Sequence, residues 1–371
     1  MRIIIIFGLI LYLLYLLKNM NKTSNNKIIV SSITDGKEEV EEITETEKAN
    51  PLKVEIKDSV LDTSKIKEYT GEEIKNFSWS PQNFEQFVGQ EDANDQAKIV
   101  IKKMERGIRC HVILSAIQGH GKSTFVRLLA NNLNARLIER VGKEINEDTL
   151  IDVINEINTC PEKRVVFFLD EIDTTEWKVL KLLNPILQDF KISGKKVKPF
   201  LFCSATINKD LLLKTVPDLI DRIPHAIQFT RYSAEELMII LKQYKKELYS
   251  NEKVEEEVLN KIALNSKYNP RLAIGILEDF IVTQDINKTL KSRRIIKNGI
   301  TEIDLSVLKI LSQAKRAMGA NALSQRIGMT QNQYVREIEP YLCEFGYIAR
   351  IPSRVITDFG RIFLKELKDE K

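Results

Sequence analysis

A glycine-rich turn between an apolar strand and an amphipathic helix is the feature that most constrains the fold of this chain. The segment reads CHVILSA from Cys110 to Ala116, continues as IQGHGKST, and enters the helical pattern FVRLLANNL. Gly119 and Gly121 allow backbone N–H groups to surround phosphate oxygens, and the start of the following helix adds partial positive charge. This order of strand, turn and helix is typical of a phosphate-binding loop in a parallel α/β sheet.

The residues after the glycines carry the charge and the hydroxyl that nucleotide hydrolysis requires. Lys122 is expected to reach the β- and γ-phosphates of ATP, and Ser123 to bind Mg²⁺. Ala116 occupies the first glycine position of the pattern G-x-x-x-x-G-K-[ST]. If that position requires positive φ, alanine costs about 1 kcal/mol, which leaves a nucleotide-dependent switch with little turnover as an alternative. The loop residues predicted to contact nucleotide are Gly119, His120, Gly121, Lys122, Ser123 and Thr124.

A second motif, RVVFFLDEID from Arg164 to Asp173, is an apolar strand that ends in two carboxylates. Asp170 is expected to complete the Mg²⁺ shell, and Glu171 to polarise the attacking water. Acidic residues at this position are also common as helix N-caps. The phosphate loop and the acidic strand end in this order nevertheless favour an ATPase.

Three further residues are weaker candidates when they are considered singly. Thr206 ends the strand FLFCSAT, and it or Asn208 is placed to orient water near the γ-phosphate. Arg222 in DLIDRIP follows a helix, and Arg271 in YNPRLAIGIL opens one. An arginine at a helix end is usually solvated, so the pattern alone assigns these two no role.

From about Trp79 to Leu367 the chain resembles the AAA+ ATPases, and among them the RuvB branch-migration motors. The resemblance predicts an α/β fold with a P-loop parallel-sheet core, a helical lid domain and a C-terminal winged helix, preceded here by an N-terminal hydrophobic helix. The matching blocks are SPQNFEQFVGQE (80–91), HVILSAIQGHGKST, LLNPILQDF (182–190), FTRYSAEEL (229–237) and IEPYLCEFGYIARIPSRVITDFG (338–360).

The resemblance also implies roles for individual residues, with ATP and Mg²⁺ as cofactors. Arg222 matches an arginine finger that acts on ATP held by a neighbouring subunit, which implies a homo-oligomeric ring, a hexamer around DNA in this family. Arg271 matches the lid arginine that senses the γ-phosphate, and Thr206 the end of the sensor strand. The residues that match adenine contacts are Phe87, Val88 and Tyr232.

One departure from the family lies between Lys191 and Phe200. This segment, KISGKKVKPF, is short where the family carries the β-hairpin that docks on the junction-binding partner RuvA. We therefore expect that an ordinary RuvA is not the partner. The lysines of the short loop are compatible with phosphate contacts or with a solvated basic turn.

The last part of the chain, 299–371, is predicted to be a winged-helix DNA-binding domain. Thr330 is a candidate N-cap for the second helix of a helix-turn-helix pair. Arg350 and Arg354 flank a turn in the predicted wing and are expected to contact DNA phosphates. Use of the winged helix for protein contact remains the alternative.

The N-terminus carries an uncharged apolar run from Ile3 to Leu17. As a helix it spans about 22 Å, short of the roughly 30 Å hydrocarbon core of a membrane. A membrane anchor, a cleaved signal peptide, an artefact of start-codon choice and a helix that docks on a partner are the alternatives. Lysines after the run favour an anchored chain with its N-terminus outside and its ATPase domain in the cytoplasm.

The predicted domains are 1–20 anchor, 21–76 acidic tether, 77–230 ATPase core, 231–298 lid and 299–371 winged helix.

Composition narrows the function classes but does not select one. The 371 residues carry a formal net charge of +4, which says little about nucleic acid, and four scattered cysteines exclude a disulfide scaffold and a zinc ribbon. The sequence predicts an ATP-hydrolysing DNA motor that drives Holliday-junction branch migration or duplex translocation in recombination and repair. The alternative is a membrane-tethered AAA+ remodeller of protein assemblies.

Overall fold

The computed structural model describes residues 30–34, 37–41, 79–207, 212 and 214–369. The apolar run 3–17 and Asn208 lie outside these residues, so the membrane anchor stays a prediction. Among the described residues, no helix has the length and apolar character needed to cross a membrane. The chain divides into two units, Met1–Glu68 and Tyr69–Lys371.

The first unit contains an antiparallel hairpin within the segment 21–76, which was predicted to be an acidic tether. Strand β1 (Val30–Thr34) pairs with β2 (Lys37–Glu41), with Thr34 opposite Lys37. Asp-Gly separates the two strands in the sequence, and this dipeptide is a strong signal for a two-residue hairpin turn. The polar, acidic composition of residues 21–76 led to the tether prediction, and the Asp-Gly turn signal was not considered.

A five-stranded parallel sheet forms the centre of the second unit. Its strands are β3 (His111–Ser115), β4 (Arg136–Val141), β5 (Val165–Asp170), β8 (Leu201–Thr206) and β9 (His225–Gln228), in the order β4-β5-β8-β3-β9. Between β5 and β8, the two-residue strands β6 (Lys191–Ile192) and β7 (Lys195–Lys196) form a separate hairpin.

Helices cover both faces of the sheet, which explains why β5 is continuously apolar. Val165, Phe167 and Leu169 face one hydrophobic cluster, whereas Val166 and Phe168 face the other. The helices of this part are α1 (Glu91–Glu105), α2 (Lys122–Asn132), α3 (Glu147–Thr159), α4 (Trp177–Asp189) and α5 (Pro217–Ile220).

A helical segment with its own hydrophobic cluster follows the sheet. Ser233 caps its first helix, and its side chain and that of Glu236 form reciprocal hydrogen bonds with the backbone. The helices are α6 (Ala234–Leu248), α7 (Glu256–Asn265), α8 (Pro270–Thr283) and α9 (Ile286–Ser292). This segment is the predicted lid.

The C-terminal segment is a winged helix with a separate core. Short strands β10 (Ile295–Lys297) and β11 (Ile300–Thr301) precede α10 (Glu302–Gln313) and α11 (Ala320–Arg326). The predicted wing is the antiparallel pair β12 (Ile348–Ile351) and β13 (Ser353–Ile356), followed by α14 (Asp358–Asp369).

The second helix of the helix-turn-helix pair contains an irregularity that the sequence analysis did not anticipate. It begins as α12 (Gln331–Gln333), passes through a π-helical turn (Tyr334–Ile338), and continues as α13 (Glu339–Glu344). Pro340 has no N–H to donate to the carbonyl of Arg336, which accounts for a local change of hydrogen-bond pattern. Thr330 caps the helix, as predicted.

Candidate nucleotide-binding site

A cleft of about 710 Å³ opens where the carboxyl ends of the central strands meet the first turn of α8. Most of the predicted nucleotide residues line it, although they come from distant parts of the sequence. Those brought together are Phe87, Val88, Gly119, Gly121, Lys122, Ser123, Thr124, Asp170, Glu171, Thr206, Tyr232 and Arg271. The cleft has the size and the mixed polar and apolar lining of a small-molecule site.

The phosphate loop adopts the backbone conformation for which its glycines are needed. Gly119 and Gly121 have φ of 85° and 89°, and a Cβ on Gly119 would lie 2.5 Å from the side-chain oxygen of Asn269. Ala116, by contrast, is not among the residues with positive φ. The alanine therefore carries none of the backbone strain considered above, and the case for a switch without turnover loses its basis.

Lys122 is held in the loop by main-chain oxygens. Its Nζ donates to the carbonyl oxygen of Ala116 at 2.8 Å and to that of Ile117 at 3.2 Å. Burial lowers the pKa of this ammonium group below its usual value; the Asp170 carboxylate opposes that shift, and the Arg271 charge adds to it. The positive charges of Lys122 and Arg271 thus influence each other, and both residues line the cleft.

Ser123 and Asp170 provide oxygen ligands suited to Mg²⁺. The Ser123 hydroxyl lies 3.5 Å from Asp170 Oδ2, while Asp170 Oδ1 accepts the backbone N–H of Glu171 at 2.8 Å. Mg²⁺ in nucleotide sites is commonly bound by one or two protein oxygens, with phosphates and water completing the shell. The two residues fit that arrangement, and no cluster of three or more acidic, His or Cys ligands occurs in the described residues.

Glu171 stands at a sharp turn beyond β5. Its φ and ψ of 50° and 46° place it in the left-handed region, which is unusual for glutamate. The turn continues as a short 3₁₀ helix, Ile172–Thr174, and Thr174 donates its hydroxyl proton to the Glu171 carbonyl at 2.8 Å. This turn brings the Glu171 side chain to the lining of the cleft.

Thr206 ends β8 in the cleft and is paired with an acidic residue that the sequence analysis had not singled out. Its hydroxyl donates to Asp173 Oδ1 at 3.0 Å. Asp173 Oδ2 in turn receives a hydrogen bond from Arg336 of the winged helix at 3.1 Å. Asp173 is the fourth residue of DEID, a position that the phosphate-loop and acidic-strand patterns leave unassigned.

Asn269 is a second residue that the sequence analysis missed. Its Oδ1 accepts the backbone N–H groups of Arg271 and Leu272 at the start of α8, while its Nδ2 donates to the carbonyl of Gln118 at 2.7 Å. One side chain therefore caps the lid helix and ties it to the phosphate loop. An Asn-Pro pair at a helix start is the signal that identifies such a cap.

The part of the cleft predicted to contact adenine is built from buried aromatic groups. Phe87 and Tyr232 are buried, and the Tyr232 hydroxyl donates to the carbonyl of His120 at 3.3 Å. The His120 ring lies 6.0 Å from that of Tyr232 and is not part of the cleft lining. Burial lowers the pKa of His120 to about 4, so its ring is neutral at physiological pH. The His120 side chain thus packs near Tyr232 and is not part of the cleft lining.

Arg222 lies outside the cleft of its own chain. It follows α5, and its Nε is buried without a hydrogen-bond partner among the described residues. The role of Arg222 as a finger directed at a neighbouring subunit stays a prediction.

Comparison with known proteins agrees with this geometry. The family model of the Holliday junction DNA helicase RuvB P-loop domain matches residues 79–195, and that of the RuvB C-terminal winged helix domain matches 297–365. Together the two matches cover half of the chain. The chain belongs to the RuvB family.

Curated relatives and solved structures extend the RuvB match beyond the two models. The Holliday junction branch migration complex subunit RuvB of Mycoplasma genitalium is 29% identical over 306 residues, which is 76% of this chain and 97% of that protein. The same subunit of a Wolbachia from Brugia malayi is 27% identical over 325 residues, covering 80% and 97%. The structure of the Thermotoga maritima RuvB Holliday junction branch migration motor has a TM-score of 0.67 at 26% identity, covering 77% of this chain and 97% of that one.

In the winged helix of this RuvB family member, one of the two arginines predicted to contact DNA phosphates has a different role. Arg354 is 8% exposed, and its guanidinium donates to both carboxylate oxygens of Glu339. It is therefore a structural residue of the domain, and the prediction that it contacts DNA is wrong for this geometry. Arg350, opposite Arg354 in the hairpin, is exposed.

The segment between α4 and β8 is short, as predicted from the sequence, and its hairpin consists of two strands of two residues each. β6 and β7 contribute two residues each around Ser193 and Gly194, which have φ of 47° and 78°. Lys198 is tied to the core, because its Nζ donates to the carbonyls of Cys160 and Glu162. Lys195 and Lys196 are exposed.

Proposed function

We propose that this chain is an ATP-hydrolysing DNA motor that drives branch migration of four-way junctions or translocation along duplex DNA. The observation that carries the proposal is the cleft in which Lys122, Ser123, Asp170, Glu171 and Arg271 converge, on a chain that also carries a RuvB winged helix. The curated RuvB relatives are named as subunits of a Holliday junction branch migration complex.

ATP binding would use the loop for the phosphates and the aromatic side for the base. Backbone N–H groups around Gly119 and Gly121, together with Lys122, would neutralise the β- and γ-phosphates. Phe87, Val88 and Tyr232 would hold the adenine. Arg271, at the start of α8, would connect the γ-phosphate to the lid.

Hydrolysis would depend on groups that orient water and stabilise charge. Glu171 would polarise the attacking water, and Thr206 would fix its position. Mg²⁺ held by Ser123 and Asp170 would neutralise charge on the β- and γ-oxygens. Loss of the γ-phosphate would release Arg271 and shift the lid, as in other switches that bind the γ-phosphate.

A ring would supply the remaining catalytic group. We assign Arg222 as the finger that completes the ATP site of the adjacent subunit, with a hexamer as the assembly. The ranges 77–230, 231–298 and 299–371 would then be the core, lid and DNA-binding domains of each subunit. Arg350 would contact DNA phosphates, and the short hairpin at 191–196 argues against docking of an ordinary RuvA.

The test is the steady-state ATPase rate of the full chain with and without a synthetic four-way junction. The proposal expects clear stimulation by the junction or by duplex DNA, and no turnover in Glu171→Gln. A rate indifferent to DNA at low salt would contradict the motor function, and absence of hydrolysis would contradict the ATPase assignment. An equimolar mixture of Arg222→Ala and Glu171→Gln subunits should recover part of the activity if the finger acts between subunits.

A further inference from the structure

A hydrogen-bonded chain of three residues joins the winged helix to the nucleotide cleft. Arg336 Nη2 donates to Asp173 Oδ2 at 3.1 Å, and Thr206 Oγ1 donates to Asp173 Oδ1 at 3.0 Å. Thr206 is part of the cleft lining. Residues far apart in sequence thus form one continuous polar connection between the DNA-binding domain and the end of the sensor strand.

The Asp173 carboxylate depends on its partners because it is largely removed from solvent. Its side chain is 7% exposed, whereas that of Arg336 is 41% exposed. A carboxylate in such a place requires hydrogen-bond donors or cations. Among the described residues, Thr206 donates to one of its oxygens and Arg336 to the other. The charge of Asp173 also acts on the Lys122 ammonium.

The orientation of the Thr206 hydroxyl follows from the position of Asp173. A hydroxyl has a single proton to donate, and the geometry directs that proton at the carboxylate. A fixed carboxylate therefore fixes the direction of the oxygen lone pairs in the cleft. If Asp173 shifts, Thr206 can no longer hold water in one position.

The winged helix has other attachments, so loss of Arg336 alone should not undock it. Arg231 pairs with Glu344 and donates to the Lys267 carbonyl at 3.0 Å. The rings of Tyr268 and Phe345 stack at 5.1 Å with an 8° angle between their planes. The Arg231–Glu344 pair and the Tyr268–Phe345 stack join the lid to the winged helix independently of Asp173.

We infer that Arg336 is a positioning residue for ATP hydrolysis, through which the winged helix sets the orientation of Thr206 by holding Asp173. The inference rests on the proposed ATPase function. Arg336 lies on the second helix of the helix-turn-helix pair, and its contact with Asp173 is within the same chain. This contact would affect the rate of ATP hydrolysis and not the binding of DNA. Arg336 touches neither ATP nor water in this account and acts only through Asp173.

The experiment compares basal ATP hydrolysis, without DNA, in the full chain and its variants. Arg336→Ala should lower kcat about fivefold or more, since small misplacements of a catalytic group have large effects on rate. KM for ATP should stay within about twofold, because the phosphate-binding groups are unchanged. Arg336→Lys, which retains the charge, should recover part of kcat, and every variant should remain folded at the assay temperature, as checked by circular dichroism.

The matched control is Arg326→Ala on the neighbouring helix. Arg326 is exposed and has no ion-pair partner among the described residues. Asp173→Asn should reproduce the kcat loss, and the double variant Asp173→Asn/Arg336→Ala should be no slower than Asp173→Asn alone. Unchanged kcat in Arg336→Ala, a loss no larger than that of Arg326→Ala, or additive losses in the double variant would overturn the inference. The unmodified chain is measured in the same assay. If it hydrolyses ATP while the variants give any of these results, the inference about Arg336 fails and the proposed ATPase function stands.

Discussion

Arg354 and Glu339 form a buried, two-pronged ion pair inside the winged helix. The Arg354 Nη2 to Glu339 Oε2 distance is 2.9 Å, and the side chains are 9% and 4% exposed. The pair joins the wing to the start of α13. The wing and the second helix are therefore held together by charge as well as by the apolar core.

Removal of one partner of this pair should destabilise the domain. A buried ion pair that loses one member leaves an uncompensated charge, at a cost of about 3–5 kcal/mol. We expect Arg354→Ala to lower the midpoint of thermal unfolding strongly, with Glu339→Ala similar. Arg350→Ala is the matched control, since the side chain is exposed and opposite in the same hairpin. Equal midpoints for Arg354→Ala and Arg350→Ala would contradict this assignment.

Arg350 should instead report on DNA binding. Neutralising a phosphate contact weakens binding of all sequences and reduces the salt slope by about 1. Arg350→Ala should therefore bind a duplex more weakly than the unmodified chain at low salt, with unchanged thermal stability. Fluorescence anisotropy over a salt series measures both the affinity and the slope. The same affinity and the same slope in the variant would exclude Arg350 from the interface.

Asn269 should couple nucleotide binding to the stability of α8. Substitution by alanine removes the N-cap, which typically costs about 1 kcal/mol, and also the bond to the Gln118 carbonyl. We expect Asn269→Ala to weaken ATP binding, measured by titration calorimetry, in addition to lowering stability. Asp285→Ala is the matched control, because Asp285 caps α9 and does not line the cleft. If Asp285→Ala weakened ATP binding as much as Asn269→Ala did, the hydrogen bond between Asn269 and the Gln118 carbonyl would not explain the weaker binding.

Two buried histidines predict a loss of stability in mild acid. Burial lowers the pKa of His111 and of His120 from 6.5 to about 4. The unfolded chain then binds more protons than the folded chain between these values, so stability falls as pH decreases from 6.5 towards 4. The denaturant midpoint measured from pH 7 to pH 5 should decrease, before most carboxylates titrate. A flat profile over this interval would contradict the buried, neutral histidines.

The fold was predictable because its signals are local. The alternating apolar strands and amphipathic helices predicted the sheet, and the turn with Gly119 and Gly121 predicted the phosphate loop. The cleft residues were predictable because parallel strands end at one edge, so Lys122, Asp170 and Thr206 had to lie close together.

The remaining parts of the site depend on contacts that a linear pattern does not carry. Arg354 looked like a wing residue exposed to DNA, because its pairing with Glu339 becomes visible only when the hairpin packs on the helix. Asp173 and Arg336 meet across two domains. The condition set for strain at Ala116 is not met, because the residue does not have positive φ, and the sequence motif does not specify φ at that position.

The most direct test of the account is ATP-dependent branch migration of a labelled four-way junction by the full chain. We predict conversion of the junction to two duplexes with ATP, and none with Glu171→Gln, which should still bind ATP. Conversion by the unmodified chain would establish the motor. If the unmodified chain hydrolysed ATP and bound the junction but left it unconverted, the central claim would be contradicted.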